Sequence, residues 1–270
     1  PAAGGDRLEL IRNWIAGLGI GRPPCVLGLP GSNAVFQSLQ PEANDPRPMA
    51  TVAAVEVLKF NDIASEEMVY DAAPAPLKAD DKRMLIVMAR PTLLNGVVSM
   101  AGELGLDVVD IVATPVALYN ALADSPGVAP DDVCLFIDIG QSSTQVAIGT
   151  GKGLLFARAF ASGGQAFTDA SARQTKVAYA EAERLKVTQG GLSNLAQLLH
   201  QGLLAAAEVW IREVESCLAV YQNVLPAANA RPMRVVLSGG AAALPGLTDF
   251  VKTKLGLPTV LAAQIGRAHV

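Results

Sequence analysis

Two apolar runs, Val133-Cys134-Leu135-Phe136-Ile137 and Gln145-Val146-Ala147-Ile148, are separated only by Asp138-Ile139-Gly140-Gln141-Ser142-Ser143-Thr144. Short apolar runs joined by so brief a link read as a buried β-hairpin with the polar segment at its tip. Gly140 lets the backbone turn tightly and present successive N–H groups to an anion, and Ser142, Ser143 and Thr144 add hydroxyl donors. Asp138, at the strand end, can hold a divalent metal through its water. The same residues also satisfy an ordinary polar hairpin turn, because glycine-rich motifs match by chance.

Further segments narrow the choice. Val235-Val236-Leu237-Ser238-Gly239-Gly240 reads as a buried strand ending in a glycine turn, where adjacent glycines leave room for a flat group to approach the backbone. A helix over 247–255 follows, closed by Gly256 as C-cap and by Pro258. Between the two turns, Glu183 and Lys186 lie one helical turn apart on a common face, an acid and a base able to bracket a ribose. Gly163 and Gly164 precede a helical run, either to approach phosphates or to make a tight strand-to-helix turn.

In this order and spacing the pieces resemble the nucleotide site of the actin and heat-shock-chaperone superfamily of ATPases. The resemblance is strongest to the PilM family of type IV pilus assembly, which is related to the cell-division FtsA family. It is carried by Phe136-Ile137-Asp138-Ile139-Gly140, by 160–168 with Gly163-Gly164, by Ala182-Glu183-Arg184-Leu185-Lys186 and by Leu237-Ser238-Gly239-Gly240 running to Leu247. Val26-Leu27-Gly28-Leu29-Pro30-Gly31-Ser32 also resembles a strand and turn of that family's inserted domain. The resemblance implies a two-lobed actin-like, ribonuclease H-like α/β fold with a small α+β domain inserted. It implies ATP with Mg2+ as ligands: 138–144 as the second phosphate loop, Glu183 and Lys186 as ribose and purine contacts, Gly239-Gly240 as the adenosine loop. The implied partner is the cytoplasmic tail of a PilN-like inner-membrane protein, captured as an extended peptide near the inserted domain.

Two departures bear on catalysis. The family's first phosphate loop has no counterpart at the opening Pro1-Ala2-Ala3-Gly4-Gly5, which suggests a fragment whose first strands lie upstream. Many superfamily members carry an acid before a proline where this chain has Thr114-Pro115. A hydroxyl orients water but gives no charge to metal or nucleophile, so hydrolysis is expected to be slow or absent. The alternatives are an actin-like cytoplasmic domain of a type II secretion GspL-like protein, a nucleotide-free scaffold, and a small-molecule kinase of the same superfamily.

Composition agrees. The 270-residue length favours two lobes, and 51% hydrophobic residues promise a large core. With 21 Lys and Arg against 25 Asp and Glu there is no basic footprint for nucleic acid. Cys25, Cys134 and Cys217, odd in number and set in apolar runs, read as buried free thiols of a reducing compartment. His200 and His269 lack metal-ligand spacing or catalytic partners. No apolar stretch reaches the roughly 20 residues of a membrane span, which points to the cytoplasm, and the resemblance implies a place at the inner face of the inner membrane through partners.

Residues 1–104 read as the inserted α+β domain: helices over 8–18, 49–60 and 91–104, and strands over 25–29, 34–39, 68–71 and 84–89, the first two joined by a Pro-Gly-Ser turn. Residues 40–48 and 72–81 read as exposed linkers. Residues 105–128 read as a remnant of the first lobe and 129–265 as the second, with a helical part over 168–230. Gly149-Thr150-Gly151-Lys152-Gly153 fails the P-loop spacing and reads as a hairpin turn. A long helix over 194–225 aligns Leu203, Ala207, Trp210, Val214, Cys217, Leu218 and Tyr221 on a core stripe. The terminal 266–270 has no functional reading; FtsA proteins end in an amphipathic membrane helix, and the lack of such a pattern there favours the resemblance to PilM over that to FtsA.

Overall fold

The structure, a computed structural model, describes residues 7–42, 44–61, 67–78, 81–124, 129–192, 198–226 and 230–262. The opening residues 1–5, the start of the long helix at 194–197 and the terminal 266–270 lie outside them.

The apolar run before the loop becomes β6 (Cys134–Ile139), the central strand of a five-stranded sheet. Such a strand must be covered on both faces, and Cys134, Leu135, Phe136, Ile137 and Ile139 are all fully buried. β6 pairs antiparallel with β7 (Thr144–Thr150), which pairs antiparallel with β8 (Gly153–Phe160). On its other side β6 runs parallel to β9 (Arg234–Ser238), and β9 to β10 (Thr259–Leu261). Parallel pairing needs a crossover, supplied between β8 and β9 by α5 (Gly164–Thr175), α6 (Tyr179–Gln189) and α7 (Leu198–Val224), and between β9 and β10 by α8 (Leu247–Leu255). The α8 C-cap is Gly256, at φ +65°, with its N–H on Lys252 O at 3.0 Å.

The pleat assigns the faces. Phe136, Asp138, Gln145 and Ala147 share one face of the β6–β7 pair, while Ile137, Ile139, Thr144 and Val146 share the other. α4 (Thr114–Leu122) covers the first, with Tyr119 edge-on to Phe136 at 6.0 Å and its hydroxyl donating to Thr150 O at 2.6 Å. α7 covers the second with the stripe read from the sequence: Leu203, Ala207, Trp210, Val214, Cys217 and Tyr221 are buried and Leu218 half-buried. Burial raises the Cys134 and Cys217 thiols to about 11.

Upstream of α4 lie α1 (Arg7–Gly17), β1 (Pro24–Leu29), β2 (Ala34–Leu39), α2 (Met49–Asn61), β3 (Val69–Pro74), β4 (Met84–Ala89), α3 (Pro91–Glu103) and β5 (Asp107–Ala113). β2, β4 and β3 form a small antiparallel sheet in that order, and α2 packs Ala53 and Val57 onto its Met84, Ile86 and Met88. The opposite face of β4 sends Leu85 into the main core.

Three sequence expectations are corrected. β1 and β2 do not pair. β1 runs parallel to β5 in a separate two-stranded sheet, and a 3-10 turn at Gly31–Asn33 carries the chain across to β2. Strand pairing thus joins residues 24–29 to 107–113 across position 104. β3 extends through Ala72–Pro74 where a linker was expected, because its register must match the six residues of β4, and Pro74 falls at the end of an edge strand, where its missing donor is tolerated. Cys25 is half-exposed rather than buried, since the two-stranded sheet that holds it offers less cover than the central sheet.

Candidate functional site

The loop at the hairpin tip is docked by its carbonyls. Gly140 N–H closes the turn on Ser143 O at 3.0 Å, while Gly140 O and Gln141 O accept from the N–H groups of Gly164 and Gln165, both at 2.8 Å. These two amides belong to the first turn of α5, where donors lack intrahelical partners. The N–H groups of Gln141, Ser142 and Ser143 are left without backbone partners among the described residues, so successive N–H donors remain available to an anion. Gly164 therefore holds the loop through its N–H, and Gly163 through the space that its missing Cβ leaves. A Cβ on Gly163 would lie 2.5 Å from Gly140 O, so only glycine allows the approach.

The second glycine turn closes on the same loop. Gly239, at φ +90°, brings its backbone so near Ile139 that a Cβ would meet Ile139 O at 2.5 Å. Gly240 has open space instead, at the start of a 3-10 turn spanning Gly240–Ala243. Ser238 donates to Asp138 Oδ1 at 3.0 Å, which anchors the carboxylate at the strand end.

α6 supplies the facing wall. Lys186 Nζ donates to Gly164 O at 3.0 Å, Thr168 Oγ1 at 2.7 Å and Glu183 Oε2 at 2.8 Å, so all three of its protons are committed to the site's frame. Thr168 also donates to Glu183 Oε2, which leaves Oε1 without a partner among the described residues. Burial pushes the Glu183 carboxyl up, but the hydrogen bonds from Lys186 and Thr168 and the lysine charge outweigh it and hold it below the usual carboxylate range.

These elements enclose a cleft of about 510 Å³ lined by Gly140, Gln141, Gly164, Glu183, Lys186 and Gly240, with an apolar side formed by Tyr179, Val187, Leu244 and Pro245. The sequence reading missed that apolar side. Tyr179 and Val187 stand four residues either side of Glu183 on one helix face, so spacing alone could have found them.

Two expected contributors stand elsewhere. Thr144 is fully buried on the α7 face, donating to Ser162 O at 2.7 Å and accepting from Trp210 Nε1 at 3.0 Å, so its hydroxyl serves the core. Thr114 opens α4, where its hydroxyl accepts from Gly31 N–H at 2.9 Å and donates to Gln145 Oε1 at 3.0 Å. Gln145, read from the sequence only as part of the hairpin, reaches Ser143 Oγ through Nε2 at 3.1 Å. The described residues hold no group of three or more His, Cys, Asp or Glu side chains able to bind a metal. Asp138, at the strand end with Oδ1 held by Ser238, fits an ion held through water rather than by direct ligation.

A second cavity, of about 590 Å³, runs between β3, β5, α4 and the β7–β8 hairpin, with Val69, Tyr70, Val112, Val116 and Tyr119 in its walls. β3 and β5 are each the last strand of their sheet, so each offers an edge to which an extended segment can pair. No helix among the described residues is long and apolar enough to cross a membrane.

A family model described as type IV pilus assembly protein PilM matches residues 63–268. No curated protein matches. Among solved structures, a chain of the PilM-PilN type IV pilus biogenesis complex is 22% identical with a TM-score of 0.75, covering 94% of this chain and 74% of that one. MreB5 of Spiroplasma citri bound to ADP is 14% identical with a TM-score of 0.59, covering 95% of this chain and 69% of that one. The same protein bound to AMPPNP is 18% identical with a TM-score of 0.52, covering 64% and 60% respectively. The fold is therefore that of the actin-like proteins.

Proposed function

This chain belongs to the PilM family of type IV pilus assembly proteins, and from that premise we propose that it is an actin-like, ATP-binding scaffold that captures the cytoplasmic tail of a PilN-like inner-membrane protein. The family match carries the reading, and it favours none of the alternatives of a type II secretion domain, a small-molecule kinase or a nucleotide-free scaffold. The partner's tail holds the chain at the cytoplasmic face of the inner membrane.

The donor set fits ATP. The N–H groups of 141–143 would hold its phosphates, Glu183 Oε1 its ribose, and the apolar wall of Tyr179 and Pro245 with the open Gly240 turn its purine. Asp138 would hold Mg2+ through a water, and the ion would supply positive charge against the phosphates. Lys186 keeps the wall in place by tying α6 to α5. Thr114 brings no carboxylate to the site, and its hydroxyl is already engaged, so the scaffold holds nucleotide with slow turnover or none. Nucleotide occupancy biases lobe closure and so partner affinity.

The groove between the β3 and β5 edges takes the partner's tail as an added strand with apolar side chains in its walls. The test is fluorescence anisotropy of a labelled PilN-type tail peptide, with Val116→Asp in the groove wall as control. Saturable binding that falls at least about ten-fold in V116D is expected, the usual scale for charging an apolar contact. A peptide that does not bind, or binds V116D equally well, refutes this use of the groove.

A further inference from the structure

We propose that Thr114 and Gln145 are positioning residues whose hydrogen bonds fix Ser143 as a donor to the polyphosphate of a bound nucleotide, an inference that rests on the nucleotide reading above. The order of protons follows from the chain of contacts. Gly31 N–H can only donate, so Thr114 Oγ1 accepts from it at 2.9 Å. Thr114 then has one proton to place, and its acceptor is Gln145 Oε1 at 3.0 Å. That contact orients the amide, because the flipped amide would leave the Thr114 proton with no acceptor among the described residues. Gln145 Nε2 accordingly donates to Ser143 Oγ at 3.1 Å.

Ser143 Oγ is thus an acceptor toward the interior, and its own proton has no acceptor among the described residues. It sits beside the unpaired N–H groups of 141–143, so the loop offers a hydroxyl proton together with backbone donors, the pattern that a polyanion satisfies. The relay is held tightly. Gln145 is 8% exposed, and a Cβ on Gly31 would lie 2.5 Å from its Oε1 and 2.8 Å from the Pro115 ring. The relay begins in the turn after β1, passes through the first residue of α4 and ends in the loop after β6, so contact between those elements is what sets the donor.

Gln145→Glu reverses this polarity without changing shape. Protonated, the new carboxyl reproduces the donor and acceptor of the amide; ionised, it accepts from both hydroxyls and turns the Ser143 proton inward. The experiment measures ATP and ADP affinity by calorimetry for the unsubstituted chain, S143A, Q145E and S143A/Q145E between about pH 6 and pH 9, the span over which a buried carboxyl ionises. S143A is expected to bind about ten-fold more weakly, the loss of one hydrogen bond to a charged group. Q145E should bind like the unsubstituted chain at the acid end and fall toward the S143A affinity as pH rises, and in the S143A background that fall should vanish. A fall of equal size in both backgrounds identifies simple charge repulsion and overturns the relay. So does S143A binding at full strength. If Q145E fails to fold, T114V and T114S carry the same cycle, with only T114S expected to retain affinity. Absence of nucleotide binding by the unsubstituted chain refutes the nucleotide reading and this inference with it, whereas binding without a Ser143 contribution refutes the inference alone.

Discussion

Replacing Gly163 by alanine should detach the phosphate-facing loop from the helix that supports it. Gly163 has φ −162°, which any residue adopts, so the requirement for glycine is one of space. The added Cβ would stand 2.5 Å from Gly140 O and 2.8 Å from Gln141 O, both backbone atoms that cannot swing aside as a side chain would. To reach even 3.0 Å from Gly140 O the loop must retreat by at least 0.5 Å, which stretches the two 2.8 Å bonds from Gly164 and Gln165. Overpacking of this kind costs about 1–3 kcal/mol, and weakening two backbone hydrogen bonds about 1 kcal/mol more, for a total of about 3 kcal/mol. In a chain of this size that lowers the melting temperature by about 6–12 °C. Gly240→Ala is the matched control, since its Cβ meets nothing within 4 Å and its melting temperature should hold to about 1 °C. Differential scanning calorimetry of both variants, with ATP titrated into each, reads stability and binding together. A G163A protein that melts and binds ATP like the unsubstituted chain refutes the docking role given to the α5 N-terminus.

Thr144→Val keeps the volume but strands Trp210 Nε1–H and Ser162 O in the core, so it should cost about 1–3 kcal/mol in urea unfolding followed by Trp210 fluorescence. An unchanged midpoint would return Thr144 to the list of surface hydroxyls. The Glu183 carboxyl is held below its ordinary range, so it stabilises the fold fully above its unfolded pKa, and that stability disappears as pH falls through the lowered folded value. Glu183→Gln should therefore flatten the acid limb of a melting-temperature profile and leave the neutral region without that pH dependence. An acid limb identical to that of the parent chain would remove Glu183 from the knot. Cys134 and Cys217 are buried with thiols raised to about 11, while Cys25 is half-exposed. A disulfide-exchange reagent at about pH 8 should modify one thiol rapidly and the other two only after unfolding. Rapid modification of all three would contradict the packing of β6 and α7.

Period-two alternation and apolar runs made the β6–β7 hairpin legible in the sequence, and helical spacing did the same for the α7 stripe. Glu183, Lys186, Gly140 and Gly240 were legible as well, through the resemblance to an actin-like nucleotide site that their order carries, and all of them line one cleft. Thr144 was misassigned even though the alternation that places Asp138 on the α4 face places Thr144 on the opposite one; applying the pleat to the whole hairpin would have moved it to the core and drawn attention to Gln145. The role of Gly163 was left open because a tight turn and a phosphate contact look alike until the carbonyl partners of the α5 amides are seen. The parallel pairing of β1 with β5 was out of reach. It joins distant segments, and a local turn signal between β1 and β2 suggests a hairpin that the 3-10 turn at Gly31–Asn33 does not make.

Titration of ATP with Mg2+ into the purified chain, followed by calorimetry and by melting temperature, tests the nucleotide-dependent scaffold most directly. A single saturable site with a matching rise in melting temperature, both abolished in G163A and preserved in V116D, is the expected result. No heat and no thermal shift at saturating ATP would contradict it and leave a scaffold whose glycine turns serve packing alone.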